Sequence, residues 1–474
     1  MTTAYDKDVT DLTNLLNTQQ PALQENQDYY EAEYRLKALG LATPPEMRHL
    51  TAAIGYCRIY LDAIDERLDV EGFRSGDEAE ADERLWDWWQ ANALDEEAPL
   101  GHLESMIHGV SYITVSVPDE NDEDLDPTIP LIRVESPFHF VGTLDQRTRQ
   151  IRRALRLYRS PESPQEDRVT LLLPDETVYL GRSQRPNAEW SVISSNKHNL
   201  GRPLVSPLIN RERLSEPFGK SEMTPELRSA TDAASRIMMN LQAAAELMAV
   251  PQRVLFGVAA EEFTNDPENP GAQLEAYYAR MLAFEDSNGK IAQYSAADLR
   301  NFVEALQELA KQVASYTGLP PQYLSFSSEN PASAEAIKSA ESRLVKKSER
   351  KARMFGGAWE RAMRLGMLAM DGSVPSDAYK LETVWRDPST PTFAAKADGV
   401  AKLHAAHIIP TEQARIEMGY TDIQREQMRE WEKDDPMSQL NAILAGGAGP
   451  GGPGGAPGGG AASGGSQQKK APAK

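Results

Sequence analysis

Along the first 110 residues, apolar positions recur three and four apart, the spacing of one helix face. Asp28-Tyr29-Tyr30-Glu31 opens one run, which continues through Leu36 to Leu39 and is closed by Gly40. Pro44-Pro45 starts a second helix, with Leu50, Ala53, Ile54, Cys57, Leu61 and Ile64 on its inner face. A third, near residues 78–93, carries Leu85, Trp86, Trp88 and Trp89. Such a tryptophan group is a core anchor or a binding platform, and the core is the preferred reading. Between 107 and 200 the period falls to two: Ser111 to Val117, Arg168 to Leu172 and Thr177 to Leu180 alternate, with Pro, Asn, Asp and Gly in the gaps. This predicts an antiparallel meander inserted in a helical chain. The acidic run Asp119 to Asp124 reads as a solvated hairpin tip.

Helical spacing returns at Pro225 and persists through Leu227, Ala230, Ala234, Ile237, Leu241, Ala244 and Met248, until Pro251. Residues 252–296 predict a small α/β insert, with strands at Arg253–Phe256 and Lys290–Ala292 and a helix from Gln273 to Phe284. A second seam, Leu299, Phe302, Leu306, Leu309, Val313 and Tyr316, ends at Gly318-Leu319-Pro320-Pro321. After a polar loop, residues 332–370 contain no proline and predict one helix of nearly 60 Å at about 1.5 Å per residue. Its apolar side carries Ile337, Leu344, Phe355, Trp359, Met363 and Met370, with a kink expected at Gly356-Gly357. Lys380 to Trp385 reads as a strand and 393–434 as short helices. From Ala445 the chain is mostly Gly, Ala and Pro with a lysine-bearing end, a composition expected to be disordered. The class is therefore α+β, mainly helical.

The balance of 71 acidic against 50 basic residues, a net charge of −21, repels polyanions from the general surface. It argues against a protein that grips DNA through its general surface, but not against one past which DNA slides. Cys57 is the only cysteine, which rules out a disulfide framework and a cysteine-rich zinc module. The opening MTTAYDKDVTDLTNLLN lacks a basic start followed by an apolar run and is not read as a signal peptide. No apolar stretch approaches the ~18 residues a membrane span needs.

Candidate chemistry is sparse. Gly219-Lys220-Ser221 resembles the end of a phosphate-binding loop, but Leu214 stands where the first glycine is required. The alternative is a helix approach capped by Ser221 or Thr224, with Pro225 in the first turn. His404 and His407 have no acidic or cysteine partner at ligand spacing and read as a helix-surface pair. Asp122, Asp124 and Asp126 suggest a calcium loop, but Pro127 and Arg133 replace its glycine and closing glutamate. No nucleophile elbow and no H-E-x-x-H is present. Neither a cofactor nor a metal is expected.

If the two seam helices fold back on each other, the insert caps one end of a long stalk. A thin stalk buries little, so its alanine-lined sides predict packing against copies of itself in a closed ring. In this order the chain resembles the portal proteins of tailed bacteriophages, of the siphovirus-like kind. The resembling stretches are Pro217-Phe218-Gly219-Lys220-Ser221-Glu222, Ala249-Val250-Pro251-Gln252-Arg253, Thr317-Gly318-Leu319-Pro320-Pro321, Asn330 to Ala336 with Glu341 to Lys347, and Val384-Trp385-Arg386-Asp387-Pro388 followed by Ala397-Asp398 and Lys402-Leu403. They cover roughly residues 25–435, and their order and spacing carry the likeness.

The resemblance implies a ring, usually of twelve subunits, at one capsid vertex of the virion, assembled in the bacterial cytoplasm. It implies a wing (1–223 and 371–392), stem helices (224–250 and 297–318), a clip (251–296), a tunnel loop (319–331), a long helix (332–370), a crown (393–444) and a free tail (445–474). Stem packing falls to Leu227, Ala230, Ala234, Ile237, Leu241, Leu299, Phe302, Leu306 and Leu309. The clip, through Gln252, Arg253, Glu261, Glu262 and Tyr277, would bind the terminase and later the head-to-tail adaptor. Tyr323, Ser325, Phe326, Ser327, Ser328, Glu329 and Asn330 would form the tunnel loop. Other implied partners are the major capsid protein and double-stranded DNA, passed without sequence specificity; no membrane and no enzymatic activity are implied. The long helix departs from the acidic average with nine basic against four acidic residues. Arg343, Lys346, Lys347, Arg350, Lys351 and Arg353 predict a band that faces DNA or, preferably, acids of a neighbouring subunit. Arg147, Arg149, Arg152, Arg153, Arg156 and Arg159 suggest wing–wing or capsid contacts. Two further readings stay open: a non-viral helical scaffold or adaptor, and a metal-dependent hydrolase or nuclease with a carboxylate site.

Overall fold

The computed structural model describes residues 4–33, 53–75, 82–119, 125–159, 164–185, 188–249, 253–256, 281–284, 299–324, 334–389, 393–420 and 422–434. The chain divides into two units, Met1–Ser389 and Thr390–Lys474.

In the first unit, α1 (Asp6–Glu31) covers a sheet. Its Val9, Leu12 and Leu16 are buried with Val141, Leu155, Val169, Leu171, Val178 and Leu180. This helix lies upstream of its expected position, and Tyr29 and Tyr30 sit in its last turn rather than its first. The second helix, α2, runs Tyr56–Asp65 and does not begin at Pro44, because 53–55 is non-helical. Strand β1 (Val70–Ser75) was not expected. Gly72 and a register shift break its alternation, so no period-two signal survives in the sequence. Helices α3 (Glu83–Ala91) and α4 (Leu94–His108) follow, α3 capped by Asp82, whose Oδ1 accepts from the Leu85 amide at 3.1 Å.

The expected meander is two sheets. Strand β2 (Val110–Ser116) pairs antiparallel with β3 (Leu131–Glu135) and with β9 (Val205–Ile209). Strands β4 (Phe140–Leu144), β5 (Ile151–Arg159), β6 (Glu166–Leu172), β7 (Glu176–Ser183) and β8 (Ser191–Lys197) pair in sequence order, each antiparallel to the next. Tyr112, Phe140, Ile151, Ala154, Leu172 and Val205 form the apolar cluster that joins them. Of the acidic run, residues 120–124 lie outside the described residues, while Asp126 accepts from the Thr128 amide (2.8 Å) and hydroxyl (2.6 Å) in a local turn.

Helices α5 (Pro225–Ala249), α6 (Arg300–Thr317) and α7 (Ala334–Asp371) match the three long helical runs of the sequence. Strand β10 (Arg253–Phe256) forms as expected, but Met281–Phe284 is strand β11, parallel to it, and not a helix end. Met-Leu-Ala-Phe is short and wholly apolar, so its periodicity suits either element and pairing decides. The rest of the predicted insert lies outside the described residues. Strand β12 (Leu381–Trp385) is as expected and pairs antiparallel with β1. Helix α7 continues through Gly356-Gly357. At Gly356 a side chain would stand 3.0 Å from Trp385 Nε1, so this glycine lets β12 lie on the helix.

The central core joins α2, α3, α4, α5, α7 and β1. Trp88 and Trp89 are buried in it and Trp86 stacks on Trp89, which decides for the anchor reading. Trp359 donates to Nε2 of the fully buried His102 at 2.8 Å, and Phe355 stacks on the same ring at 5.1 Å. Burial pulls His102 down to about 3 and His108 to about 4, both far below the ordinary 6.5. Both are neutral when folded and charge on unfolding. Their contribution is therefore complete above pH 6.5 and is lost as pH falls toward 4 and 3, at about 1.4 kcal/mol per pH unit for each. Calorimetry of the protein should show its melting temperature falling steadily from pH 6.5 to 5; a flat profile there contradicts this assignment.

The second unit holds α8 (Phe393–Ala405), α9 (Thr411–Met418) and α10 (Asp422–Asp434). Glu412 on α9 binds Arg429 (2.7 Å), Arg425 (3.3 Å) and Arg415 (3.4 Å), which ties α9 to α10. His404 and His407 are not a helix-surface pair: His407 follows the end of α8 with φ of 56°, and His404 Nδ1 lies 3.3 Å from the Ile409 carbonyl. The end of the expected crown, 435–444, and the expected tail, 445–474, lie outside the described residues.

Candidate functional site

Two packed helices, a polar knot at their base and a latch before the loop make up the candidate site. Helices α5 and α6 pack together through the predicted seams. Leu227, Ala230 and Ala234 are buried and Ile237 and Leu241 half-buried. Opposite them Ala310, Val313 and Ala314 are buried, while Leu299, Phe302, Leu306 and Leu309 are half-buried. Tyr316 leaves the seam and is 51% exposed. The pair therefore buries its base and leaves apolar side chains partly open along its length.

At that base a polar knot joins four parts of the chain. Thr224 Oγ1 caps α5, accepting from the Leu227 amide at 3.4 Å, as the capping reading expected. Just before it, Glu222 is 4% exposed and forms a buried ion pair with Lys351 of α7, itself 3% exposed. Tyr60 of α2 donates to Glu222 Oε1 at 2.7 Å. Asn210, after β9, donates to Glu222 Oε2 at 3.2 Å and to the Lys220 carbonyl at 2.8 Å, and its Oδ1 accepts from Lys351 at 2.6 Å. Lys347 donates to the Tyr60 hydroxyl at 2.6 Å and lies 4.9 Å from the centre of its ring. Burial would raise the Glu222 carboxyl, but Lys351, Tyr60 and Lys347 outweigh it and hold the group below its ordinary value. Burial and the Glu222 charge push the Tyr60 hydroxyl well up. Burial lowers Lys347.

This arrangement corrects the basic band. Lys351 is buried against Glu222 and Lys347 is half-buried against Tyr60, both within their own chain. Arg350 donates to the Glu212 carbonyl (3.1 Å), Arg343 to the Ser315 carbonyl (3.3 Å) and Arg353 to the Glu349 carbonyl (3.3 Å), while Lys346 pairs with Glu349 at 2.6 Å; all four remain at the surface. The predicted arginine stretch divides likewise. Arg153 pairs with Asp8 and with Asp11 (3.4 Å), Arg156 with Glu135 (2.9 Å) and Arg159 with Asp167 (3.6 Å), all within the chain. Arg147, Arg149 and Arg152 are exposed.

Of the expected loop, Tyr323 is described, and Ser325, Phe326, Ser327, Ser328, Glu329 and Asn330 lie outside the described residues. The Tyr323 hydroxyl accepts from Arg67 at 3.1 Å and donates to Glu341 Oε1 at 2.9 Å, so the segment entering the loop is tied to the turn after α2 and to α7 at once. Gln252, Glu261, Glu262 and Tyr277 also lie outside, and only the backbone of Arg253 is described. Sequence reasoning missed Glu222, Tyr60, Asn210 and Arg67. One signal was present: Lys351 stands seven after Leu344 and four before Phe355, a cation at a seam position, which calls for a buried partner.

The chain matches the family described as "Phage portal protein, SPP1 Gp6-like" over residues 11–440. It is 52% identical over 437 residues to the portal protein of Mycobacterium phage D29, covering 91% of this chain and 90% of that one. It is also 52% identical over 425 residues to the portal protein of Mycobacterium phage L5, covering 89% and 87%. Among solved structures, it is similar to a chain from the neck of a native GTA particle computed with C12 symmetry, at 12% identity and a TM-score of 0.36 over 77% of this chain and 91% of that one.

Proposed function

The chain belongs to the phage portal protein family, SPP1 Gp6-like, and on that premise we propose that twelve copies close into a ring at one capsid vertex, forming the channel for DNA packaging and ejection. The match over 11–440 carries the reading, because it spans α5, α6, α7 and all the strands between and around them. In this reading the ring sits on the major capsid protein, and the clip binds the terminase during packaging and the head-to-tail adaptor afterwards. The protein hydrolyses nothing and needs no cofactor. The half-buried seam of α5 and α6 supports the ring, since apolar side chains open along a two-helix stalk are covered when identical stalks stand side by side. The surplus of 71 acidic over 50 basic residues supports a channel that DNA traverses without sticking. Arg343, Lys346, Arg350 and Arg353 are the band residues left to meet phosphates or a neighbour's acids.

Negative-stain microscopy of the purified protein should show gear-shaped rings with a central hole. A single copy at high concentration, persisting beside its capsid protein, refutes the reading. Shortening 325–330 should spare the ring, because the Arg67–Tyr323–Glu341 latch lies outside the deletion, and should impair DNA packaging. Normal packaging by that variant refutes a role for the loop.

A further inference from the structure

We propose that a pocket between α7 and β9 receives a carboxylate side chain from a second copy of this chain, held by Arg361 and Arg364. The inference rests on the ring reading and names one contact within it. The cavity is about 230 Å³ and is lined by Arg361, Arg364 and, at its exposed edge, Arg202, with Ile151, Val205 and Leu365 among its walls. No carboxylate lines it. Among the described residues neither α7 arginine makes an ion pair: Arg361 donates to the Pro207 carbonyl at 3.4 Å and Arg364 to the Ala378 carbonyl at 3.1 Å. Glu360, the nearest acid in sequence, accepts instead from the Thr383 amide at 3.4 Å. Burial pulls both guanidinium groups below their ordinary value, at Arg361 the charge of Arg364 adds to it, and the Glu360 carboxylate opposes the shift at both without cancelling it. The two half-buried cations, one helical turn apart, hydrogen-bond only to carbonyls and share the field of one acid, Glu360, which forms an ion pair with neither. Elsewhere on the same helix Lys351 and Lys346 each pair with an acid within the chain.

The pocket's shape and the chain's composition point to the donor. Its walls are partly apolar, which suits the methylene stem of a glutamate or aspartate, whereas a free phosphate would set hydrated oxygens against them. A guanidinium binds a carboxylate through two parallel hydrogen bonds. The chain has acids to spare.

The first test needs no substitution. A cryo-EM map of the assembled wild-type ring should place a neighbour's carboxylate within about 4 Å of the Arg361 or Arg364 guanidinium, the reach of an ion pair. A ring whose pocket holds only solvent or its own chain overturns the inference and leaves the ring reading standing. Absence of any ring overturns both. In a second arm, the double variant Arg361→Gln/Arg364→Gln should form rings that dissociate at roughly half the wild-type sodium chloride concentration, with the melting temperature of the isolated subunit unchanged or raised. An unchanged dissociation point counts against the proposal. So does stabilisation of isolated wild-type protein by inorganic phosphate with no change at the ring, which assigns the pocket to a free anion.

Discussion

Lys351→Met should destabilise the first unit by about 3–5 kcal/mol, the usual consequence of stranding one member of a buried ion pair. The substitution keeps most of the methylene volume and removes the ammonium that neutralises Glu222, 4% exposed. Tyr60 and Asn210 still donate to the carboxylate, and Lys347 acts on it through Tyr60, but none of these supplies a directly bonded cation. The pH dependence gives a second readout. With Lys351 present, the Glu222 carboxyl sits below its ordinary value, so its stabilising contribution is held above that value and is lost as pH falls through the lower folded one. Without Lys351 burial dominates and the carboxyl rises above its ordinary value, so the sign reverses: the variant loses stability as pH rises through the folded value and recovers it on acidification. Denaturant unfolding at several pH values measures both effects. Adding Glu222→Gln to Lys351→Met should recover more than half of the stability, because no uncompensated charge is then buried. A single variant as stable as the wild type, or a double variant worse than the sum of the singles, rejects the knot as a stabilising element.

What the sequence disclosed follows from which interactions are periodic. The three long helices stand out because their apolar residues recur every three or four positions over several turns, and β12 because its run is short, branched and bounded. Strand β1 was hidden by Gly72, and the true start of α2 by apolar residues at 53 and 54 that continue the helical spacing into non-helical chain. The candidate site was half legible. Its seam residues, Tyr316 apart, lay where spacing put them, but a side chain's charge partner has no period. Glu222 and Lys351 are 129 positions apart, and Arg67 and Tyr323 256 apart. Such pairs become visible only when the fold closes, which is why Lys351 and Lys347 read as surface cations.

Gly219→Ala should cost more than about 4 kcal/mol and leave little folded protein, the largest effect expected of a single added methyl group among the described glycines. Gly219 has φ of 79°, where an L side chain is strained, but the greater obstacle is space. Its Cβ would fall 2.1 Å from the Gly109 carbonyl oxygen and 2.8 Å from Ile209 Cγ2. The first of these is backbone and is fixed from both sides: Gly109 ends α4 with its amide on the Ser105 carbonyl at 2.8 Å, while its own carbonyl accepts from the Asn210 amide, also at 2.8 Å. Gly109 is itself at φ of 97° with no room for a side chain against Lys220, so two glycines press together where the segment leading to α5 crosses the turn from α4 into β2. Gly201→Ala isolates the conformational part, since Gly201 has φ of 71° and open space around it, and should cost only about 1 kcal/mol. Thermal unfolding of both variants gives the comparison. Equal losses would mean that the crossing yields to a methyl group, and that Gly219 does not fix where α5 leaves the sheets. A much larger loss at Gly219 gives the glycine before Lys220 and Ser221 a steric purpose, in the place where a phosphate-binding loop would have given it a chemical one.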